Sequence, residues 1–323
     1  MGWGRGVEGG RPAGIRMLEV AVPATSANLG CAFDCAALAL NLELVVEATP
    51  LPFPGLELQC EGEGVETIPT DSSNLVVQGI NRLYAWSEAP VPGLRLRLRS
   101  AIPVGVGLGS SAAAIVAGLL IGSQLYGRRP DDATLIGLAA ELDGHPDNAA
   151  AAYLGGLVVS ASGADSRRVL SRKAKVPQEL EFIVVVPDRP MPTSASRAAL
   201  PDAYSRVDAV HNLQRAALLV ASAFSGEFDF EPEFFADRWH QSQRAELMPG
   251  LADCLALEHP DLLGVCLSGA GSSVLAVTRR PAPEIADQLL QCFRSKGVEA
   301  RALALSADNL GAKGRLLEEL GVS

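Results

Sequence analysis

A globular enzyme of about two domains, mixing helices and strands, is what this sequence predicts. Three observations carry that expectation: a length of 323 residues, a composition rich in small aliphatic residues, and strand-like runs alternating with Gly-rich loops and an Ala-rich helix. Hydrophobic residues make up 48% of the chain and aromatics only 5%, so Ala, Leu and Val must fill the interior. Such a composition suits an α/β enzyme.

Residues 20–23 and 38–48 read as strands, because β-branched residues and Leu flank the polar turn Asn28-Leu29-Gly30. Residues 94–99 alternate Leu and Arg strictly, the pattern of a strand with one buried and one wet face. A Gly-rich loop follows Pro103, and an Ala-rich helix is expected over 111–126, closed by Gly127. Its apolar run 112–121 is too short to cross a bilayer and reads as a buried core helix. Pro130, Asp131 and Asp132 open the next helix, since proline and acids favour a first turn, and it runs to about Asp143. Residues 182–187 have the length and composition of a strand, and 265–277 form a hairpin-like unit around the turn 268–273. The polar segment 161–175 lacks apolar periodicity and marks the expected boundary between an N-terminal domain (17–165) and a C-terminal one (166–323). Residues 1–16 lack the apolar stretch and cleavage site of a secretory signal, and read as a disordered tail with Met17 as an alternative start.

The formal net charge of -10 argues against wholesale nucleic-acid binding, which needs a dominant basic surface, so any anionic ligand must be met locally. No membrane partner is expected. Cys31, Cys35, Cys60, Cys254, Cys266 and Cys292 form no CxxC pair and no zinc spacing. They read as reduced thiols, buried as small hydrophobes in a cytoplasmic protein.

The chemistry is concentrated in Pro103-Val104-Gly105-Val106-Gly107-Leu108-Gly109-Ser110-Ser111-Ala112-Ala113, which joins a strand to a helix. Glycines let backbone approach an anion, and the first amides of a helix, reinforced by its dipole, favour phosphate. A dinucleotide fingerprint fits poorly, since Ser110 stands where the third glycine belongs, and a Walker loop fails for want of any lysine. A merely structural Gly-rich turn is the bland alternative.

The whole string resembles the second motif of the GHMP kinases, the superfamily of galactokinase and of homoserine, mevalonate and phosphomevalonate kinases. Residues 22–30 with Phe33-Asp34 resemble the first motif in its homoserine kinase form, and Leu267-Ser268-Gly269-Ala270-Gly271 resembles the third, a loop that supports the phosphate loop from the second domain. Gly144-His145-Pro146-Asp147-Asn148 with Gly155-Gly156, Pro192-Thr193 with Arg197, and His240-Gln241 with Arg244 are similar to further homoserine kinase signatures. The chain departs from the pattern at Cys31-Ala32, where the family usually has Pro-Gly, and at Ser272-Ser273, where it usually has Pro-Thr.

The resemblance implies an α+β fold of two domains, the first like ribosomal protein S5 domain 2 and the second ferredoxin-like, with ATP between them. It implies L-homoserine as the small-molecule substrate, ATP and Mg2+ as cofactors, and a homodimer. ATP would lie against Pro103, Gly105, Gly107, Leu108, Gly109, Ser110, Ser111, Ala112, Ala113, Gly269 and Gly271, with Asn74 by the adenine. Ser111 and Glu141 would hold Mg2+, Ser110 could exchange with Ser111, and Glu141 has an ordinary solvated carboxylate as its alternative reading. Asp34 suits the substrate ammonium, and Arg197 and Arg244 suit its carboxylate through bidentate bonds, unless they are surface charges. Asn28 and Asn148 would hold the hydroxyl, His145 would line the pocket or cap its loop, and Thr193 would donate to the γ-phosphoryl. Asn148 cannot act as a base, so positioning and charge neutralisation would carry the transfer. The alternatives are a related kinase acting on mevalonate, shikimate or a sugar, and a nucleotide-binding regulator without turnover.

Overall fold

In the computed structural model residues 17–165 and 167–317 are described; the tail expected at 1–16 lies outside the described residues. Strands fall into two sheets. In the first, β1 (Met17–Ala27), β2 (Ala36–Pro50), β3 (Leu56–Gly62) and β4 (Leu94–Ser100) lie in the order β1-β2-β4-β3, with only the β3–β4 pair parallel among them. The expected alternation in β4 is present: Leu94, Leu96 and Leu98 are buried, each contributing roughly 1.5–3 kcal/mol, while Arg95 and Arg97 reach Glu57 and Glu61 on β3.

Four helices cover this sheet or pack on one another: α1 (Leu75–Trp86), α2 (Ser110–Tyr126), α3 (Asp132–Asp143) and α4 (Asp147–Leu154). Helix α2 is apolar on every side and is buried for most of its length, as a helix of that composition must be. Gly118 lets it meet α1 backbone to backbone, because a Cβ there would stand 2.1 Å from the Val76 carbonyl oxygen. Asp131 caps α3 by accepting from the Thr134 amide, as the acids at its start predict.

The hairpin β5 (Leu157–Ser162) and β6 (Val169–Ala174) extends the first sheet through β2. A division at 165/166 would cut that hairpin, and β11 (Lys313–Leu317) also returns to pair with β1. The changeover between sheets therefore falls between Ala174 and Glu181. Polarity at 161–175 reflects an edge hairpin, not a linker.

The second sheet contains β7 (Glu181–Pro187), β8 (Leu262–Leu267), β9 (Val274–Thr278) and β10 (Ala300–Leu305) in the order β10-β7-β9-β8, all antiparallel. Helices α5 (Thr193–Ala198), α6 (Arg206–Ser225), α7 (Gln241–Ala245) and α8 (Leu251–Leu255) separate β7 from β8, and α9 (Pro283–Arg294) separates β9 from β10. That order and chain path are ferredoxin-like. The expected α+β fold of two units is present, and no helix among the described residues is long and apolar enough to cross a membrane.

Candidate active site

Helix α2 begins at Gly109, whose φ of 66° opens the first turn without a side-chain cap. The first bond of the helix runs from the Ala113 amide to the Gly109 carbonyl at 2.9 Å, leaving the amides of Ser110, Ser111 and Ala112 ahead of the ladder. A Cβ at Gly109 would lie 1.9 Å from Thr25 Oγ1, so glycine is required both by the angle and by the approach of β1.

The third motif supports this loop as expected. Ser268 Oγ donates to the Gly107 carbonyl at 2.7 Å, the Ser273 amide donates to the Val106 carbonyl at 3.0 Å, and a Cβ at Gly107 would stand 2.1 Å from the Ser268 carbonyl oxygen. Gly269 and Gly271 therefore lie beside Gly107. Helix α5 docks at the same place: the Met191 amide donates to the Gly105 carbonyl at 3.0 Å and Ser196 Oγ donates to the Ala270 carbonyl at 2.8 Å. Exposed Thr193 thus starts a helix pinned to the loop.

On the same helix, Arg197 makes a two-pronged pair with Asp34, at 2.7 and 3.1 Å, from 163 positions away. Both side chains remain about a third exposed, at 38% and 34%. Asp34 sits at φ 52° in a turn where Asn28 (72°) and Leu29 (42°) are also left-handed, a conformation that non-glycine residues hold only at a cost. Ala32 is not among the left-handed residues, so alanine in place of the usual glycine imposes no strain there. Cys31 donates from Sγ to the Phe234 carbonyl at 2.9 Å, and burial pushes its thiol up to about 12, so it is inert.

Behind this pair lies Arg244, 1% exposed. Its guanidinium donates to the Gly269 carbonyl at 3.1 Å and reaches His240 Nδ1 at 3.0 Å, and Phe33 lies near both arginines, 5.4 Å from Arg244 and 5.6 Å from Arg197. Burial, and then the charge of Arg197, lower Arg244 to about 10. His240 Nε2 donates to the Gly30 carbonyl at 2.8 Å, which leaves Nδ1 to accept from Arg244; burial lowers this histidine to about 4, so it is neutral.

A second polar cluster faces the start of α2. Ser111 Oγ donates to Asp143 Oδ1 at 2.7 Å. The Asp143 side chain is only 7% exposed, and its second oxygen is buried without a hydrogen bond, 3.7 Å from His145 Nδ1. Burial raises the Asp143 carboxyl. Burial alone would lower His145, but the 2.8 Å bond to Asp147 and the two neighbouring carboxylates outweigh it and raise the imidazole. Asn148 accepts from Thr25 Oγ1 at 2.6 Å and is 8% exposed at the start of α4.

Three of the expected ligand residues have protein partners in the structure. Glu141 does not meet Ser111; it pairs with Arg82 of α1 on the surface, and Asp143 takes its place, because two residues along a helix turn a side chain by about 200°. Asn74 caps α1, accepting from the Val76 amide at 2.9 Å and donating to the Pro69 carbonyl at 2.8 Å. Asn28 has both ends of its amide engaged by backbone, donating to the Gly269 carbonyl at 2.8 Å and accepting from the Asp34 amide at 2.9 Å, so it shapes the turn. Sequence reasoning also passed over Thr25 and Asp143, although Asp143 ends its helix directly before the Gly144-His145 string.

Asp143 Oδ1 and Oδ2 with Ser111 Oγ are hard oxygen donors, and a buried carboxylate oxygen without a partner fits a small divalent cation. An open cleft of about 560 Å3, lined by Asn41, Glu43, Glu61 and Arg99 among others, lies elsewhere, and none of its lining residues belongs to the motifs.

Residues 74–156 match the GHMP kinases N terminal domain and residues 220–295 the GHMP kinases C terminal family. Homoserine kinase of Moorella thermoacetica is 38% identical over 296 residues, 91% of this chain and 98% of the relative. The chain belongs to the GHMP kinase family, in its homoserine kinase branch. Homoserine kinase of Mycolicibacterium smegmatis is 42% identical to this GHMP kinase over 279 residues, 83% of the chain and 86% of the relative. The crystal structure of homoserine kinase from Cytophaga hutchinsonii superposes on this GHMP kinase with a TM-score of 0.80 at 26% identity, covering 93% and 97% of the two chains. A mevalonate kinase shares the fold at 14% identity, with a TM-score of 0.57.

Proposed function

We propose that this kinase transfers the γ-phosphoryl group of ATP to the hydroxyl of L-homoserine, giving ADP and O-phospho-L-homoserine, the step that commits carbon to threonine. The Asp34–Arg197 pair beside the phosphate loop is the observation that carries the reading. A free amino acid presents an ammonium and a carboxylate, and an acid and a guanidinium already facing each other, still partly open, suit that pair of charges. A sugar or mevalonate has no ammonium to match Asp34.

ATP would lay its phosphates on the amides of Ser110, Ser111 and Ala112 and along Gly105, Gly107 and Gly109. Mg2+, when bound, would neutralise phosphate charge; Ser111 and Asp143 would hold it. Thr193, on the helix pinned to Gly105, would donate to the transferring group, and Arg197 on the next turn would hold the substrate carboxylate, so one short helix aligns donor and acceptor. Arg244 would act from beneath, fixing Gly269 and adding positive potential. Asn148 cannot accept a proton at neutral pH, and the hydroxyl proton would leave with the phosphoryl oxygens, since a loose transition state develops little charge on the nucleophile early. The enzyme would work in the cytoplasm, as a homodimer.

An ADP-release assay with homoserine, mevalonate, shikimate and galactose side by side tests the reading. Homoserine is expected to give the highest kcat/KM. Better turnover on another of the four would remove the substrate assignment while keeping the kinase, and ATP binding without turnover on any would indicate a regulator.

A further inference from the structure

Thr25 lies fully buried near the end of β1, and three contacts fix it. Its backbone pairs with Ala39 of β2, its amide donates to the Leu108 carbonyl at 3.1 Å, and its hydroxyl donates to Asn148 Oδ1 at 2.6 Å. A Cβ at Gly109 would stand 1.9 Å from Thr25 Oγ1 and 3.2 Å from Asn148 Oδ1, so the bond between these side chains runs directly against the phosphate loop.

The other end of the Asn148 amide is held as well. Nδ2 donates to Asp147 Oδ1 at 3.3 Å, an oxygen that also accepts from the Asn148 main-chain amide at 2.6 Å and from His145 Nδ1 at 2.8 Å. A carboxylate only accepts, so the nitrogen of the side-chain amide must lie on the Asp147 side. Oδ1 is thereby turned to Thr25, which makes the threonine hydroxyl the donor. One N–H of Nδ2 faces Asp147, and the second has no hydrogen bond among the described residues.

We propose that Thr25 is a positioning residue for the transfer. With Asp147 it locks the Asn148 amide so that a side-chain N–H, and not the carbonyl oxygen, meets the acceptor hydroxyl, given the placement of Asn148 at that hydroxyl in the functional reading above. One lone pair of the hydroxyl oxygen then accepts from Nδ2, and the other forms the bond to phosphorus as the bond to the bridging oxygen of ADP breaks. The proton finds no acceptor on Asn148, so it points to an oxygen of the transferring phosphoryl group and passes there. Because Thr25 also holds the Leu108 carbonyl, a single strand residue sets the acceptor against the loop that carries the donor.

ADP release by the full chain, with ATP and homoserine each varied, tests the proposal on Thr25→Val, Thr25→Ser, Asn148→Ala and the double variant Thr25→Val with Asn148→Ala. Valine keeps the shape and removes the donor, so kcat is expected to fall about 5- to 30-fold, with KM for ATP and the thermal melt unchanged. Serine restores the hydroxyl and is expected to recover most of kcat. A residue acting through Asn148 adds nothing once that side chain is gone, so the double variant should be no slower than Asn148→Ala alone. Thr25→Ala, smaller than the native residue, repeats the cycle without the valine methyl. Wild-type kcat in Thr25→Val and Thr25→Ala would overturn the proposal, as would a serine variant as slow as valine. Losses that multiply in the double variant would overturn it too, by assigning Thr25 to the loop alone. Wild-type kcat in Asn148→Ala is the separate failure of the functional reading, since it removes Asn148 from the acceptor site and takes this inference with it.

Discussion

Replacing Asp143 by Asn should cut turnover by about 100- to 1,000-fold, while Glu141→Gln should leave it within about threefold. The contrast follows from where the two carboxylates sit. Asp143 is almost sealed, accepts from Ser111 at 2.7 Å, and has one oxygen with no hydrogen bond, so an amide removes the charge best placed to hold a cation at the mouth of α2. Losing a preorganised electrostatic contact in a water-poor site costs about 3–4 kcal/mol in the transition state, and at 1.36 kcal/mol per decade that is between two and three decades of rate. Glu141 makes a surface pair with Arg82, with side chains 33% and 28% exposed, and such pairs contribute about 0.2–1 kcal/mol to stability. ADP release as a function of Mg2+ concentration measures both variants, with Mn2+ binding in the presence of a non-hydrolysable ATP analogue as a readout independent of turnover. Asn is isosteric with Asp, so the fold should survive. Full activity in Asp143→Asn together with a collapse in Glu141→Gln would refute the reassignment.

Arg197→Ala should raise KM for homoserine by about 5- to 30-fold with little change in kcat. Truncating a desolvated charge costs about 2–5 kcal/mol, and the 38% exposure of this side chain brings the figure down to about 1–2 kcal/mol; unchanged substrate kinetics would remove it from the site. His240 predicts an acid limb in stability. Its folded value, near 4, lies below the ordinary 6.5, so the unfolded chain binds the proton first; stability is complete above about pH 6.5 and falls toward pH 4, by up to about 1.4 kcal/mol per pH unit. Urea melts across that range should show a slope that His240→Gln flattens, and an equal slope in the variant would place the acid sensitivity elsewhere.

Period and punctuation made much of the fold readable. The Leu-Arg alternation of β4 survives as buried and exposed faces because a two-residue period has only one way to meet a sheet. Helix α2 starts one residue earlier than its composition suggests, since Gly109 at positive φ already serves as the cap. The edge hairpin β5–β6 was harder: its polar side chains belong to a sheet margin, and margin and linker look alike in sequence. Nothing in the sequence pattern pointed to α6. A helix shows itself by contrast between an apolar and a polar face, and exposed Val207, Val210, Leu213 and Leu218 erase that contrast.

The site divides along a different line. Asn28, Asn74 and Arg244 are of the right type to touch a ligand, yet each is buried, and a buried polar group must find partners. Backbone carbonyls and amides are the nearest ones, so these side chains are largely engaged in building the loops, and residue type alone gives no warning of it. Asp34 and Arg197 differ because they stay partly open, in a turn held left-handed at a cost that neighbouring contacts offset. Asp143 differs again, being buried with one oxygen left over. In the proposed site, the side chains assigned to ligands differ from the scaffolding ones in leftover capacity: charge still exposed, or an acceptor still without a donor. That capacity depends on which chain segments arrive from far away, Ser268 against Gly107 and Arg197 against Asp34, and a motif read along the sequence does not contain it.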